Sequence, residues 1–553
     1  MLELVQKDRS ITLEPPVGAT LLEALAGEPT VSISAPCGGR GRCGKCVVRV
    51  LEPTGGPEPS SADNRFISSE DLGLGYRLAC TCPAAQVVKV EAPREYREAT
   101  VKDDIPRFEA AAQPLESAVT AGRFAGAVDI GTTTVAVYLI ESESGEPVDV
   151  LAQMNRQSVY GADVLSRIAY SDTGGLPALS RAIRAQIHEM LTELTERNDA
   201  TLTDVGVLSV VGNTTMLHLL AGEDPSAIGR APFTPVFVES REYAPTRLSL
   251  PLAPKGSVLL LPSVSAYIGA DIVSAAVAVG MDRDEGTTLL VDIGTNGELA
   301  LTHNGRIFAC STAAGPAFEG ASISAGVGGI AGAIRSWHRN DHSFRFDTIG
   351  NVEPVGICGS GLLDLLSTLL RDGLVEETGR MIASGELEEL SDSRLVAAYQ
   401  HHLTEEENGE PAFKMAGPYR FTQKDVREIQ LAKAAIAAGI ATLLHQADIS
   451  PEALERVVLT GGFGNHLHVE GAITIGLLPA IPIDRFETIS NAAGVGAVQT
   501  VRETPTLDRA VAFQRTVEYV ELSGHPFFQE RYIEQMTFPD REELSLVELG
   551  GEA

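Results

Sequence analysis

The stretch "AVDIGTTTVAVYLIE", starting at Ala127, recurs in outline as "LVDIGTNGELALTH" from Leu290. Each copy is an apolar, β-branched run, then Asp-Ile-Gly-Thr, then a polar turn and a second apolar run. Two such runs joined at a glycine read as a strand pair. A chain that contains this unit twice is most simply two structurally repeated halves. Strands and helices alternate around both copies. "VGVLSVVGN", "SVLLLPSV", "TTLLVDIG" and "RVVLTGGFG" read as buried strands ending at glycines. "LSRAIRAQIHEMLTELTERN" places Ile183, Ile187, Leu191 and Leu194 on one helical face, and "TQKDVREIQLAKAAIAAGIATLL" is a long helix opened by Thr422. This alternation predicts α/β architecture. The acidic span from about Met381 to Pro418, with "LTEEENGEP" inside it, reads as an inserted surface excursion of solvated loop and helix.

The first ninety residues are built differently. "LELV" and "SITLEPP" alternate as two strands about a "QKDR" turn, and "GATLLEALAG" reads as a short helix closed by glycine. "KCVVRVLEP" is strand-like and "PTGGPEPSSAD" is a loop. Between them lies "CGGRGRCGKC". Five of the seven cysteines fall between Cys37 and Cys82. Cys37, Cys43 and Cys46 are spaced C-x5-C-x2-C, and a fourth thiol, Cys80, arrives in "GYRLACTC". An iron–sulfur cluster needs thiolates on a loop able to wrap an inorganic core. Gly38, Gly39, Gly41 and Gly44 supply the backbone angles for that and let amides approach the sulfurs. Zinc is the rival, but structural zinc sites usually pair two short C-x2–4-C knuckles. Here three thiols share one loop and the fourth is remote. Cys310 and Cys358 stand alone and read as buried free thiols.

Composition excludes several classes. At 553 residues, three or four domains are expected. A net charge of −31, from 74 acidic and 43 basic residues, argues against a nucleic-acid footprint. No run approaches the roughly 18 apolar residues of a membrane span. "MLELVQKDRSITLEPP" lacks a basic region followed by an apolar one, so the expected location is cytoplasmic, with no membrane partner.

A strand ending in Asp, then Gly and Thr residues in a hairpin, has a phosphate-binding logic. Backbone N–H groups and threonine hydroxyls donate to an anion, and the carboxylate can hold Mg2+ directly or through water. No Walker A motif is present.

These features carry two resemblances. Residues 1 to about 92 resemble the β-grasp ferredoxin domain, and the x5 spacing with "RLAC" is similar to its adrenodoxin-like branch. That match implies a 2Fe–2S cluster on Cys37, Cys43, Cys46 and Cys80, with Cys82 a packed neighbour. Residues 125 to about 500 resemble the actin, sugar-kinase and Hsp70 ATPase superfamily, which implies two RNase-H-like lobes binding ATP in a cleft. By that match Asp129, Gly131, Thr132, Thr133 and Thr134 form the first phosphate loop. Asp292, Gly294, Thr295, Asn296 and Gly297 form the second, while Gly461, Gly462 and Phe463 line the nucleoside. Asp292 is the first candidate for Mg2+ or the attacking water, with Glu298 and Asn213 second; Asn213 reads equally as a helix cap. The implied organisation is a ferredoxin domain at 1–93, a linker at 94–124, ATPase lobes at 125–285 and 286–500, and a C-terminal extension at 501–553.

The order of domains, with "AVDIGTTT", "VVGNTTM", "VDIGTNGE", "AAGPAFEGA", "GICGSGLLD" and "LTGGFGN", resembles the reductive activators of corrinoid proteins. The resemblance implies ATP-dependent reduction of a partner's Co(II) corrinoid to Co(I), a separate upstream electron donor and a homodimer. It also suggests that "AAGPAFEGASISAG" lies near the phosphates, although its small residues equally suit close helix packing. Two other readings stand beside it: electron donation to another low-potential metalloenzyme, and nucleotide or redox sensing with little turnover. A small-molecule kinase would need a substrate pocket with its own base, and none is evident.

Overall fold

The computed structural model describes residues 1–6, 9–25, 31, 33, 39, 41, 44, 46–91, 121–340, 343–390, 393–406, 408–461 and 467–540. The linker expected at 94–124 falls almost wholly outside them. The described chain forms two compact units, Met1–Leu260 and Leu261–Ala553.

The first unit opens with a mixed five-stranded sheet in the order β2-β1-β5-β3-β4. Its strands are β1 (Leu2–Gln6), β2 (Arg9–Leu13), β3 (Val47–Glu52), β4 (Tyr76–Leu78) and β5 (Lys89–Glu91). Alternation in "LEL" explains the first strand, because Leu2 and Leu4 point inward and are fully buried. β1 runs antiparallel to β2 and parallel to β5, the pairing of a β-grasp sheet. After the "PTGGPEP" loop, Ser60 caps the helix Ser61–Phe66 in a capping box with Asp63. Arg77 secures that loop by donating to the carbonyls of Gly55, Pro57, Leu72 and Tyr76.

A second sheet in this unit has the order β10-β11-β9-β6-β7-β8. It contains β6 (Phe124–Ile130), β7 (Thr134–Glu141), β8 (Pro147–Met154), β9 (Val205–Gly212), β10 (Arg241–Tyr243) and β11 (Ser257–Leu260). The helix Leu176–Arg197 belongs to the same unit; Ile183, Ile187, Leu191 and Leu194 are fully buried, as their spacing predicts.

The second unit repeats the plan. Its main sheet begins with β12 (Thr288–Ile293), β13 (Gly297–His303) and β14 (Arg306–Thr312). Two small sheets follow, β15 (Ala333–Asn340), β16 (Ser343–Thr348) and β17 (Gly356–Ile357), then β18 (Leu403–Glu405), β19 (Pro411–Lys414) and β20 (Arg420–Thr422). The main sheet is completed by β21 (Arg456–Gly461), β22 (Phe486–Thr488) and β23 (Val517–Tyr519), in the order β22-β21-β12-β13-β14-β23. Five strands of each sheet correspond: β8-β7-β6-β9-β11 and β14-β13-β12-β21-β22. In both, the strand ending in Asp-Ile pairs antiparallel with its successor and parallel with a strand ending in glycine. The echo in the sequence is thus a repeat in the fold.

Three segments are placed differently from the sequence reading. The acidic span 381–418 is no solvated excursion: Met381, Leu387, Tyr399, Leu403 and Phe413 are buried in the second core, and none of its described charged side chains is buried. The segment after residue 500 is built into the second unit, since β23 pairs with β14 and the helix Pro526–Glu534 packs on the helix Gln423–Ala447. The division falls at 260/261 because the helix Ala270–Ala278 packs against Ala492–Arg502, with Ser274 Oγ donating to the Ala493 carbonyl at 2.8 Å. Among the described residues no helix is long and apolar enough to cross a membrane.

Candidate functional site

The cysteine loop meets the strand pair β3–β4. Cys46 lies just before β3 and Cys80 just after β4, both buried, and the Ala79 N–H donates to the Cys46 carbonyl at 2.7 Å. A hydrogen bond from the Cys46 side chain draws the Cys80 thiol down to about 7, against burial. Gly39, Gly41 and Gly44 all have φ between +65° and +74°, and a Cβ on Gly44 would strike the Phe66 ring at 2.8 Å. A Cys80 thiol at thiolate-favouring acidity, beside buried Cys46 and left-handed glycines, fits an iron–sulfur core. Cys82, by contrast, is buried and pushed up to about 12, which marks it as a packed thiol. Cys37, Cys43 and Gly38 lie outside the described residues. Cys310 and Cys358 are buried in the second unit, as expected of free thiols.

In the first unit, the loop after β6 is braced from behind. Gly131 is required because a Cβ there would meet the Thr134 carbonyl at 2.6 Å. The fully buried Asn155 donates its backbone N–H to the Thr133 carbonyl at 2.7 Å and its Nδ2 to the Gly131 carbonyl at 2.8 Å. The fully buried Arg167 donates to the Thr132 carbonyl at 2.5 Å. In a planar trans peptide the carbonyl and the next N–H point opposite ways. With three successive carbonyls turned toward the braces, the N–H groups of Thr132, Thr133 and Thr134 face the other side, as an anion cradle requires. Asn213 is shared: its Oδ1 caps the helix Thr214–Ala221 through the Met216 N–H, and its Nδ2 donates to Thr132 Oγ1 at 3.0 Å. Asn155 and Arg167 were not singled out in the sequence. Nothing near them there forms a motif, since they reach the loop only through the fold.

In the second unit, Asp292 sits directly across the sheet from Glu298 on one side and Thr460 on the other. Glu298 is pushed well up by burial, then by the charges of Asp271 and Asp292, against a hydrogen bond from Asn296. Asp271, in the first turn of the helix Ala270–Ala278, is raised to about 6 by burial. Asp271 was also missed, because "GADIV" reads simply as an apolar helix start. Thr295 Oγ1 donates to Glu319 at 2.5 Å, so "AAGPAFEGA" lies beside the second loop. Gly461, at φ +108°, closes the floor: a Cβ there would lie 2.6 Å from Asp292 Oδ1. Gly462, Phe463 and His466 lie outside the described residues, while His468 pairs with Asp364 at 2.7 Å. Among the described residues no three His, Cys, Asp or Glu side chains converge to hold a metal ion. Mg2+ fits such a site only in its usual manner, through one or two carboxylates plus water and substrate phosphate.

Thiols on a glycine-rich loop of a β-grasp sheet, and two repeated Asp-Ile-Gly-Thr hairpins, define the class: a ferredoxin domain joined to an ATPase domain of the actin and sugar-kinase type. The 2Fe-2S iron-sulfur cluster binding domain profile matches residues 5–85, the RACo middle region 124–284 and the C-terminal ASKHA domain of RACo 286–548. The corrinoid activation enzyme RamQ of Eubacterium limosum is 34% identical over 424 residues, 75% of this chain and 70% of that one. A Co(II) methylated amine-specific corrinoid protein reductase of Methanosarcina barkeri is 24% identical over 74% of this chain and 76% of that one. The solved structure of a reductive activator for corrinoid, iron-sulfur protein superposes with TM-score 0.69, at 28% identity over 98% of both chains. The chain belongs to the family of reductive activators of corrinoid proteins, redox enzymes with an ASKHA ATPase domain.

Proposed function

We propose that this protein uses ATP to return the Co(II) corrinoid of a partner methyl-transfer protein to Co(I). The observation that carries the reading is the joint presence of the thiol loop and the two Asp-Ile-Gly-Thr hairpins in a chain 34% identical to a corrinoid activation enzyme. Cys37, Cys43, Cys46 and Cys80 hold a 2Fe–2S cluster, which passes one electron at a time. Asp129 and Gly131 to Thr134 on one loop, and Asp292 and Gly294 to Gly297 on the other, bind ATP–Mg2+, with Gly461, Gly462 and Phe463 at the nucleoside. Asp292 orients Mg2+ or the attacking water. Glu298, whose carboxyl is pushed up by burial and then by the charges of Asp271 and Asp292, is the second candidate to orient that water. Asn213 positions Thr132 rather than touching the reacting atoms. Reduction to Co(I) is uphill for a mild donor, and about 59 mV per tenfold in equilibrium is the scale ATP must offset. An unidentified donor in the cytoplasm recharges the chain, which works as a homodimer.

The test is anaerobic: reduced protein, ATP and a Co(II) corrinoid protein, with Co(I) followed by absorbance. ATP-dependent Co(I) formation, lost in Cys43→Ala and in Asp292→Ala, is the expected result. ATP binding without turnover or cobalt reduction would instead identify a sensor. Turnover indifferent to the corrinoid would point to another metalloenzyme client.

A further inference from the structure

The braces behind the first phosphate loop continue outward into the ferredoxin domain. Asn155, which holds the Gly131 and Thr133 carbonyls, also accepts from the Gln157 N–H at 2.9 Å and so caps the one-turn helix Arg156–Val159. Gln186 accepts from the Arg156 N–H at 2.9 Å, and Gln157 Nε2 donates to the Leu179 carbonyl at 3.1 Å, so this turn is tied at its base to the helix Leu176–Arg197. At its far end Val159 packs against the ferredoxin core. The next residue, Tyr160, stacks on Tyr170 with ring centroids 5.0 Å apart. Burial pushes the Tyr160 and Tyr170 phenols up; Glu23, on the ferredoxin helix Leu21–Leu25, adds to this and Arg181 opposes it. That helix rests on the cluster segment, its Leu21 and Leu22 N–H groups donating to the Cys82 and Ala79 carbonyls at 2.8 and 3.0 Å. A Cβ on Gly39 of the thiol loop would touch Leu22 at 3.4 Å.

We propose that Asn155–Tyr160 is a docking face for the chain's own ferredoxin domain, and that occupation of the first phosphate loop by nucleotide strengthens the docking. Phosphate bound at Thr132 to Thr134 rigidifies the loop whose carbonyls Asn155 holds. Once that loop is ordered, seating Val159 against the ferredoxin core costs less conformational entropy, so the two events are positively coupled. By reciprocity, docking raises affinity for nucleotide by the same factor, about fivefold or more. ATP binding and loss would thereby set when the cluster domain is held and when it is released. This rests on the ATP-binding part of the proposed function.

The experiment uses the cluster-loaded full chain and the probe AMP-PNP. Hydrogen exchange is read at the Leu21–Leu25 and Arg156–Tyr160 amides, and calorimetry gives the AMP-PNP affinity. Expected is about fivefold or greater protection of both segments on adding AMP-PNP. Val159→Asp should abolish that protection at Leu21–Leu25 and weaken AMP-PNP binding by the same factor. Glu23→Lys, on the exposed face of the ferredoxin helix, serves as a second variant should Val159→Asp fail to fold. Protection at Leu21–Leu25 unmoved by AMP-PNP, while calorimetry shows binding, overturns the docking and leaves the proposed function standing. No AMP-PNP binding to the wild-type chain overturns both.

Discussion

Replacing Gly461 by alanine tests whether the end of β21 fixes the Asp292 carboxylate. Two costs add. At φ +108° a side chain is strained by roughly 1–2 kcal/mol. The new methyl would also overlap the Ile293 carbonyl and lie 2.6 Å from Asp292 Oδ1. Ile293 pairs with both neighbouring strands, so its carbonyl cannot swing aside, and overpacking of this kind costs about 1–3 kcal/mol. The total is roughly 2–5 kcal/mol. Gly280→Ala is the control, because φ there is +82° with nothing within 4 Å of the added carbon. Only the backbone cost of about 1–2 kcal/mol applies to it. Urea unfolding followed by fluorescence isolates the effect: Trp337 is the one tryptophan of the chain and is buried in the core of the second unit. Turnover of ATP should fall about 100-fold in Gly461→Ala, the consequence of moving a reacting group by roughly 1 Å. It should be unchanged in Gly280→Ala. Equal destabilisation of the two variants, or wild-type turnover in Gly461→Ala, would refute the reasoning.

Three further outcomes follow from the same geometry. Burial holds the Asp271 proton up to about 6 from 3.8, so the folded chain keeps it where the unfolded chain has released it. Its stabilising contribution is present below about pH 3.8 and lost as pH climbs through about 6, a change on the order of 3 kcal/mol; Asp271→Asn should flatten that slope in Trp337-detected unfolding without nucleotide. Asn155→Ala leaves the Gly131 carbonyl and Gln157 N–H unpaired, costing about 2–4 kcal/mol. Calorimetry should also show weaker AMP-PNP binding, and unchanged affinity would limit Asn155 to a structural role. Cys82→Ala should retain the visible absorbance of the cluster, whereas Cys80→Ala should lose it; loss in Cys82→Ala would mean that Cys82 is a ligand.

Much of this protein was legible locally. Thiols in C-x5-C-x2-C order with glycines among them can be read as a metal-binding loop because their chemistry lies within ten residues. The twin Asp-Ile-Gly-Thr runs disclosed the repeat because a strand, a glycine turn and a returning strand are one local unit. Alternation in β1 and the 3.6-residue spacing of Ile183, Ile187, Leu191 and Leu194 forecast which side chains are buried. The acidic segment 381–418 misled, since its average charge concealed the few apolar residues that enter the core.

Which distant groups serve each loop, by contrast, depends on how the sheets and helices pack. Asn155 and Arg167 brace carbonyls of Gly131 to Thr133, and the charge of Asp271, on the helix Ala270–Ala278, acts on Glu298 in β13. Asn213 could be read as a cap from its place before a helix, but its bond to Thr132 required β6 and β9 to lie side by side. Local backbone preferences and side-chain periodicity are properties of neighbouring residues, so the strands, the hairpins and the thiol spacing are legible before folding. Hydrogen bonds reach only about 3 Å, and charge couplings are screened over about 10 Å. Partners far apart in the chain therefore acquire their roles only when packing of the sheets brings them within that range.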